Sequence, residues 1–351
     1  MSKLSDTADK ISSEYFRPTT IQRAYYVGRQ TNLPLGGIEC IAYLRFEGKK
    51  INADKLRLAM NKIATAPALR WRFLNPDSLV QGEIRVPELK IYHRSPTENK
   101  EYHLKEVRDY IFNQIVDLSN DRLWGVVLTQ WDNGTSTLHI ALSLAVVDLV
   151  GLSALTHSLA QAYCNQPVSF QSLSAQQLWQ RLNESQQRLQ QKRQNKREKL
   201  KQLSQKRMEV LPHPPALPFT TLTPSGENKK ERIVRRSRLY QAAQWSLLQE
   251  YASKLEVSTA ALVLTLYARA LRQYSDHTDF MVSITSLPID GTEMELAERT
   301  EVYAHRARKL PSLAATVYDT YEDLHYRLLR GIDCDAELQK ILKNKLSLIH
   351  I

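Results

Sequence analysis

The chain has 351 residues, 42% of them hydrophobic and 24% charged, a balance that fits a soluble globular protein and excludes a disordered one. No apolar run approaches the roughly 20 residues needed to span a bilayer, and the opening "MSKLSDTADKISSEY" lacks the apolar core of a secretory signal. The net charge is +11, but nine bases between Arg188 and Arg207, against Glu198 alone, supply eight of those charges, so the excess is local.

In chain order, "IECIAYLRFE" (38–47) predicts a strand and "ADKLRLAMNKIATAPALR" (53–70) an amphipathic helix with apolar residues at three- and four-residue spacing. "RFLNPDSLVQGEI" (72–84) and "ELKIYHR" (88–94) read as strands, and 101–118 as a helix. "RLWGVVLTQWDNGTSTLHIALSLAV" (122–146) predicts a hairpin turning at Asp132-Asn133-Gly134. A helix over 151–164 follows. "QQRLQQKRQNKREKLKQLSQKR" (186–207) is Gln-rich, without Gly or Pro, and predicts a long, largely solvated helix. It reads as a connector, with an acidic protein partner as the second reading; nucleic acid is disfavoured because no aromatic residues interleave with the bases.

"LPHPPALPF" (211–219) cannot be helical and predicts an extended connector. Beyond it come a strand over 231–240, a helix over 241–254, the alanine-rich helix "STAALVLTLYARALRQY" (258–274) and the strand "DFMVSITSL" (279–287). The last clear helix spans 311–330, with helical pattern continuing to Lys345, and the chain closes on the apolar strand "LSLIHI" (346–351). That strand is expected either to tuck into the second lobe or to mark a piece of something longer. The expected class is therefore α+β. An N-terminal lobe covers 1–175, a basic helix and Pro-rich crossover 176–219, and a C-terminal lobe 220–351, with a cleft between lobes.

The three cysteines, Cys40, Cys164 and Cys334, are odd in number and widely spaced. That argues against a disulfide framework or a cysteine metal cluster and fits a reducing cytoplasm. Cys40 sits amid Ile38, Ile41 and Tyr43 and reads as core. His213 and His277 read as surface residues rather than metal ligands, Gly36-Gly37 lacks the spacing of a phosphate loop, and no Ser-His-Asp or Cys-His arrangement is legible. The remaining candidate is "HIALSLAVVDLVG" (139–151), a buried strand running into a loop that presents a single carboxylate, Asp148. An unpaired buried carboxylate is costly, so a cation is expected beside it, with Arg299 and Arg306 as candidates.

Several stretches, in order, resemble the condensation superfamily of nonribosomal peptide synthetases and its heterocyclization branch. "PTTIQRAYYVGRQTNLPLGGIECIAYLRFEG" (18–48) is similar to that branch's "TxxQxAYxxGR" and "LGGxxCxxYxxF" runs, through Gln22, Ala24, Tyr25, Gly28, Arg29, Leu35, Gly36, Gly37, Cys40, Tyr43 and Phe46. "ALRWRF" (68–73), "LPHPPALP", "STAALVLTLYARALRQYS" and "YEDLHYRLLRGIDCDAEL" resemble later stretches of the family. The resemblance implies a chloramphenicol-acetyltransferase-like fold, two lobes with a central tunnel, served by carrier proteins that bring acyl groups on phosphopantetheine arms. It implies no cofactor bound by the chain itself and no nucleic-acid or membrane partner. Its partners would be peptidyl or aryl carrier proteins or other synthetase subunits.

Condensation members carry "HHxxxDG" and heterocyclization members "DxxxxD". Asp148 matches the second acid of the latter, whereas the first position is Ser143, and the two histidines of the former become Ser143 and Leu144. Leu144 can neither accept a proton nor stabilise an oxyanion, and the Ser143 hydroxyl is a poor base alone. His139 shares the strand face of Ser143 but lies about 13 Å away at strand rise. The catalytic candidates are therefore Ser143 and Asp148, with Asp148 expected to be structural: in relatives its counterpart is held to pair with an arginine and hold the loop. Pro288-Ile289 stands where the branch usually has Asn-Arg, and the branch's later motifs lie beyond the position matching "LSLIHI", so the chain reads as C-terminally truncated relative to the family. Three functions follow. The first is an impaired heterocyclization-like docking or scaffold domain in siderophore or thiazoline/oxazoline biosynthesis. The second is an active acyltransferase forming an amide between carrier-bound substrates, and the third an interaction module using the basic helix.

Overall fold

The computed structural model describes residues 15–29, 39–95, 97–112, 122–168, 212–218, 238–286 and 299–330, with isolated positions between 176 and 184. The chain divides into two compact units, 1–187 with 290–300, and 188–289 with 301–351. The mixture of helices and sheets is α+β.

In the first unit, β1 (Tyr15–Phe16) leads into α1 (Thr20–Gly28), then β2 (Ile41–Lys49) and α2 (Ala53–Ile63). The expected helix over 53–70 is shorter, because Pro67 lacks an N–H and holds Ala66 in an extended conformation. The chain resumes as a 3₁₀ turn at Pro67–Arg70. β3 (Trp71–Asn75) and β4 (Ser78–Gln81) form a hairpin, and with β1 make a sheet ordered β1-β4-β3. β5 (Lys90–Arg94) precedes α3 (Lys100–Tyr110); the expected helix beyond 112 lies outside the described residues.

The hairpin of β6 (Trp124–Trp131) and β7 (Thr135–Ser143) turns where the sequence places it. Gly134 adopts φ +78°, and its N–H donates to the Trp131 carbonyl at 3.0 Å, closing a three-residue loop that needs a left-handed residue. These strands form the main sheet, β2-β7-β6-β5, antiparallel except for the parallel β5–β6 pair. Such a parallel pair needs a crossover, and α3 supplies it. Val107 of α3 and Ile111, its C-cap, pack on Val127 and Ala141, with Ile41, Tyr43 and Tyr92 around them, covering one face. On the opposite face Val126, Leu128, Ile140 and Leu142 are buried, and Ser136 and Gln130 hydrogen-bond to the Ile51 backbone, which leads into α2. A sheet covered on both faces explains why β7 reads as a run of buried residues rather than an alternating strand. α4 (Leu149–Tyr163) follows and packs against α2.

In the second unit, residues 212–218 form neither helix nor strand, and the His213 carbonyl accepts from Met281 N at 3.0 Å. α5 (Ala242–Lys254) and α6 (Thr259–Arg272) are followed by β8 (Phe280–Ser286), β9 (Glu301–Ala307) and α7 (Leu313–Arg330). β8 and β9 pair antiparallel, and Phe280, Val282 and Ala307 pack with Leu264 and Ala268 of α6. β9 has no counterpart among the expected elements. Its His305 is buried against Asp323 at 2.5 Å, and Arg306 pairs with Asp279, so paired polar residues disguise a strand. The basic helix, most of the expected strand at 231–240, the helical pattern beyond 330 and "LSLIHI" lie outside the described residues; Arg238–Tyr240 are irregular. Among the described residues, no helix is long and apolar enough to cross a membrane.

Candidate functional site

β7 ends at Ser143, and the chain then turns tightly before α4. Ser143 N donates to the Leu123 carbonyl at 2.8 Å and Leu144 N to the Cys40 carbonyl at 2.9 Å, fixing the strand end between its neighbours. The Ser143 hydroxyl accepts from Ala145 N at 3.2 Å, and the Ser143 carbonyl from Val146 N at 3.3 Å. This is the local side-chain-to-backbone bonding by which serine closes turns. Ser143 is 1% exposed, and Ala145, Val146 and Val147 are buried behind it.

Asp148 does not hang from a loop. It is the N-cap of α4, which starts two residues earlier than the sequence pattern suggests. Its Oδ1 accepts from Gly151 N at 2.7 Å, satisfying a backbone donor that a helix N-terminus otherwise leaves open. Its Oδ2 accepts from Arg299 Nε at 2.9 Å. The carboxylate side chain is 0% exposed and that of Arg299 14%, so the charge is held by a cation, a backbone N–H and the positive end of a helix rather than by water. Of the two arginines offered by the sequence, Arg299 stands beside Asp148, while Arg306 pairs with Asp279 at 3.1 Å.

His139 lies four residues upstream on β7, on the same face as Ser143. Its Nδ1 meets the Tyr43 hydroxyl at 2.8 Å, and its buried Nε2 has no hydrogen-bond partner among the described residues. Burial, reinforced by the neighbouring His103 and Arg45, pushes its pKa down to about 4, so the ring is neutral at physiological pH. Burial and the nearby Glu39 push the Cys40 thiol up to about 11, which keeps it from serving as a thiolate nucleophile.

His213 and His277 are exposed with rings 6.3 Å apart, and His277 Nδ1 faces the Pro214 carbonyl. Among the described residues no group of three His, Cys, Asp or Glu side chains could hold a metal ion. Gly36, Gly37, Pro288, Ile289 and Cys334 lie outside the described residues.

Sequence reasoning overlooked α1 and the contact it makes with this turn. Thr19 and Gln22 form a reciprocal capping box at its start, a Thr-x-x-Gln signal that is readable without a structure. Gln22 is buried, and its Nε2 donates to the Ala145 carbonyl at 2.9 Å. The N-cap role of Asp148 was also legible, as an acid directly before the apolar run "LVGLSALTHSLAQAY".

The condensation-domain family model matches residues 19–292. Phenyloxazoline synthase MbtB of Mycobacterium bovis is 24% identical over 278 residues, 77% of this chain and 19% of that protein. Pyochelin synthetase PchE of Pseudomonas aeruginosa is 21% identical over 279 residues, 77% of this chain and 18% of that protein. The chain thus spans about a fifth of these relatives. The EpoB cyclization-docking bidomain from Sorangium cellulosum shares the fold with a TM-score of 0.71 at 20% identity, over 95% of this chain and 67% of that one. The first condensation domain of the calcium-dependent antibiotic synthetase does so with a TM-score of 0.71 at 15% identity, over 96% and 79%. The heterocyclization side of the resemblance is matched by a phenyloxazoline synthase, a pyochelin synthetase and a cyclization domain.

Proposed function

This chain belongs to the condensation-domain family, and from that premise we propose a heterocyclization-like domain of nonribosomal peptide synthesis, of the siderophore or thiazoline/oxazoline kind, impaired in catalysis and serving to dock carrier proteins. Its partners in this reading are peptidyl or aryl carrier proteins or other synthetase subunits in the cytoplasm. The phosphopantetheine arm arrives on the carrier, and the chain binds no cofactor of its own.

One observation carries the reading: both side chains at the motif positions are already engaged within the turn. The Ser143 hydroxyl accepts the Ala145 N–H, and the two Asp148 oxygens accept from Gly151 and Arg299. Amide formation from a thioester needs a base for the attacking amine and donors for the oxyanion. A buried serine already bonded to its own turn supplies no base, and the two carboxylate oxygens of Asp148 are already taken by Gly151 and Arg299. This supports a structural role for Asp148 and a turn-closing role for Ser143.

A second reading, an active acyltransferase, is favoured by the same turn, because a well-anchored loop is what positioning catalysis requires and positioning alone can supply several kcal/mol. Mixing acyl-loaded and cysteinyl-loaded carrier proteins with the domain, and reading the products by mass spectrometry, separates the two. The proposal expects no product above the carrier-only background, and turnover gained in Ser143→Asp. Product from the wild type that disappears in Asp148→Ala overturns it in favour of the acyltransferase.

A further inference from the structure

The turn between β7 and α4 is held at each end by a residue remote in sequence. Arg299 holds the Asp148 end; the other end is held by Gln22, 123 positions away in sequence. From this geometry we infer that Gln22 is a positioning residue for the turn that carries Ser143 and Asp148. The importance of that turn rests on the functional reading above, whereas the placement of Gln22 rests on geometry alone.

The Gln22 amide is 6% exposed and used at both ends. Its Oε1 accepts from Thr19 N at 3.0 Å, and its Nε2 donates to the Ala145 carbonyl at 2.9 Å. The two contacts fix its orientation, since a flipped amide would set N–H against N–H and oxygen against oxygen. The Ala145 carbonyl lies near the start of the turn, flanked by buried apolar side chains, so losing this donor leaves a buried acceptor without it. One rigid amide thereby couples the start of α1 to the backbone two residues after Ser143 and three before Asp148. The bond depends on a neutral donor at this position, and that makes the role separable from mere packing.

Hydrogen exchange on the intact chain tests this through the amides of Leu144, Ala145, Val146 and Gly151, each donating within or beside the turn. Gln22→Met, of similar volume without the amide, is expected to speed their exchange about tenfold after correction for global stability. Gln22→Glu keeps an acceptor for Thr19 but loses the donor when ionised. At about pH 8.5 it should exchange like Gln22→Met, and at about pH 5.5, where a buried carboxyl is protonated and can donate, protection should return. That return also serves if Gln22→Met fails to fold. Thr19→Ala, which removes the cap oxygen but not the Gln22–Ala145 bond, should stay within about twofold of wild type.

Wild-type exchange of these amides in Gln22→Met overturns the inference. So does a Gln22→Glu loss equal at both pH values, or a Thr19→Ala effect as large as that of Gln22→Met. None of these outcomes depends on substrate, so failure here leaves the carrier-protein experiment untouched, and the reverse.

Discussion

His139 and Asp148 are nine residues apart on one run of chain, both fully buried, and the structure treats them in opposite ways. Asp148 is surrounded by groups that favour its charge: Arg299, the Gly151 N–H and the start of α4. His139 has the Tyr43 hydroxyl on one nitrogen and, among the described residues, no partner on the other, and burial holds it neutral. Burial alone does not decide how a polar group fares; its neighbours supply partners to one and leave a nitrogen of the other without one among the described residues.

The sharpest way to break this contrast is to remove the cation. Arg299→Met strands a buried carboxylate and should cost about 3–5 kcal/mol in denaturant unfolding. Adding Asp148→Asn should recover most of that loss, because the charge that needed the arginine is gone while the cap oxygen stays. A double variant no more stable than Arg299→Met would show that the pair is not what Arg299 contributes.

The next effect is expected at His139. Its folded pKa of about 4 lies below the ordinary 6.5, so between those values the unfolded chain takes up a proton that the folded chain refuses. The stability linked to this ring is thus complete above pH 6.5 and drains away as the pH falls toward 4, by on the order of 3 kcal/mol. His139→Phe should flatten that part of the stability–pH profile, and a profile as steep in the variant as in the wild type would count against the assignment.

Smaller effects separate the jobs of Asp148 and Ser143. Asp148→Ala should be less stable than Asp148→Asn by about 1 kcal/mol, the usual worth of a helix cap, in thermal or denaturant melts. Ser143→Ala should cost no more than about 1–1.5 kcal/mol, since it removes one neutral turn bond. A much larger loss would mean that the hydroxyl supports more than Ala145.

The same contrast explains what could be read from residues alone. The hairpin was legible because Asp132-Asn133-Gly134 states its turn chemistry locally, and the need for a cation near Asp148 followed from charge alone. That Arg299 fills the need could not be read, since the two lie 151 positions apart and nothing local to either names the other. α1 carries a local Thr-x-x-Gln signal, but its apolar pattern is weaker than that of α2. β9 was hidden because its polar residues are satisfied by partners on other elements: His305 by Asp323 and Arg306 by Asp279. Ser143 reads as a degraded motif position, and only the backbone geometry gives it an occupation.

The register of the main sheet has a consequence for how the molecule is made. β6 and β7 are neighbours in sequence and can zip from their turn, whereas Ile41 of β2 must wait for Ser143. On a ribosome, the 41–49 stretch therefore emerges long before its partner exists, offering an open row of backbone groups to any other nascent chain. Arg45, Glu47 and Lys49 alternate along it, with Lys50 just beyond, and charges so placed discourage the wrong strand from settling there before the right one is synthesised.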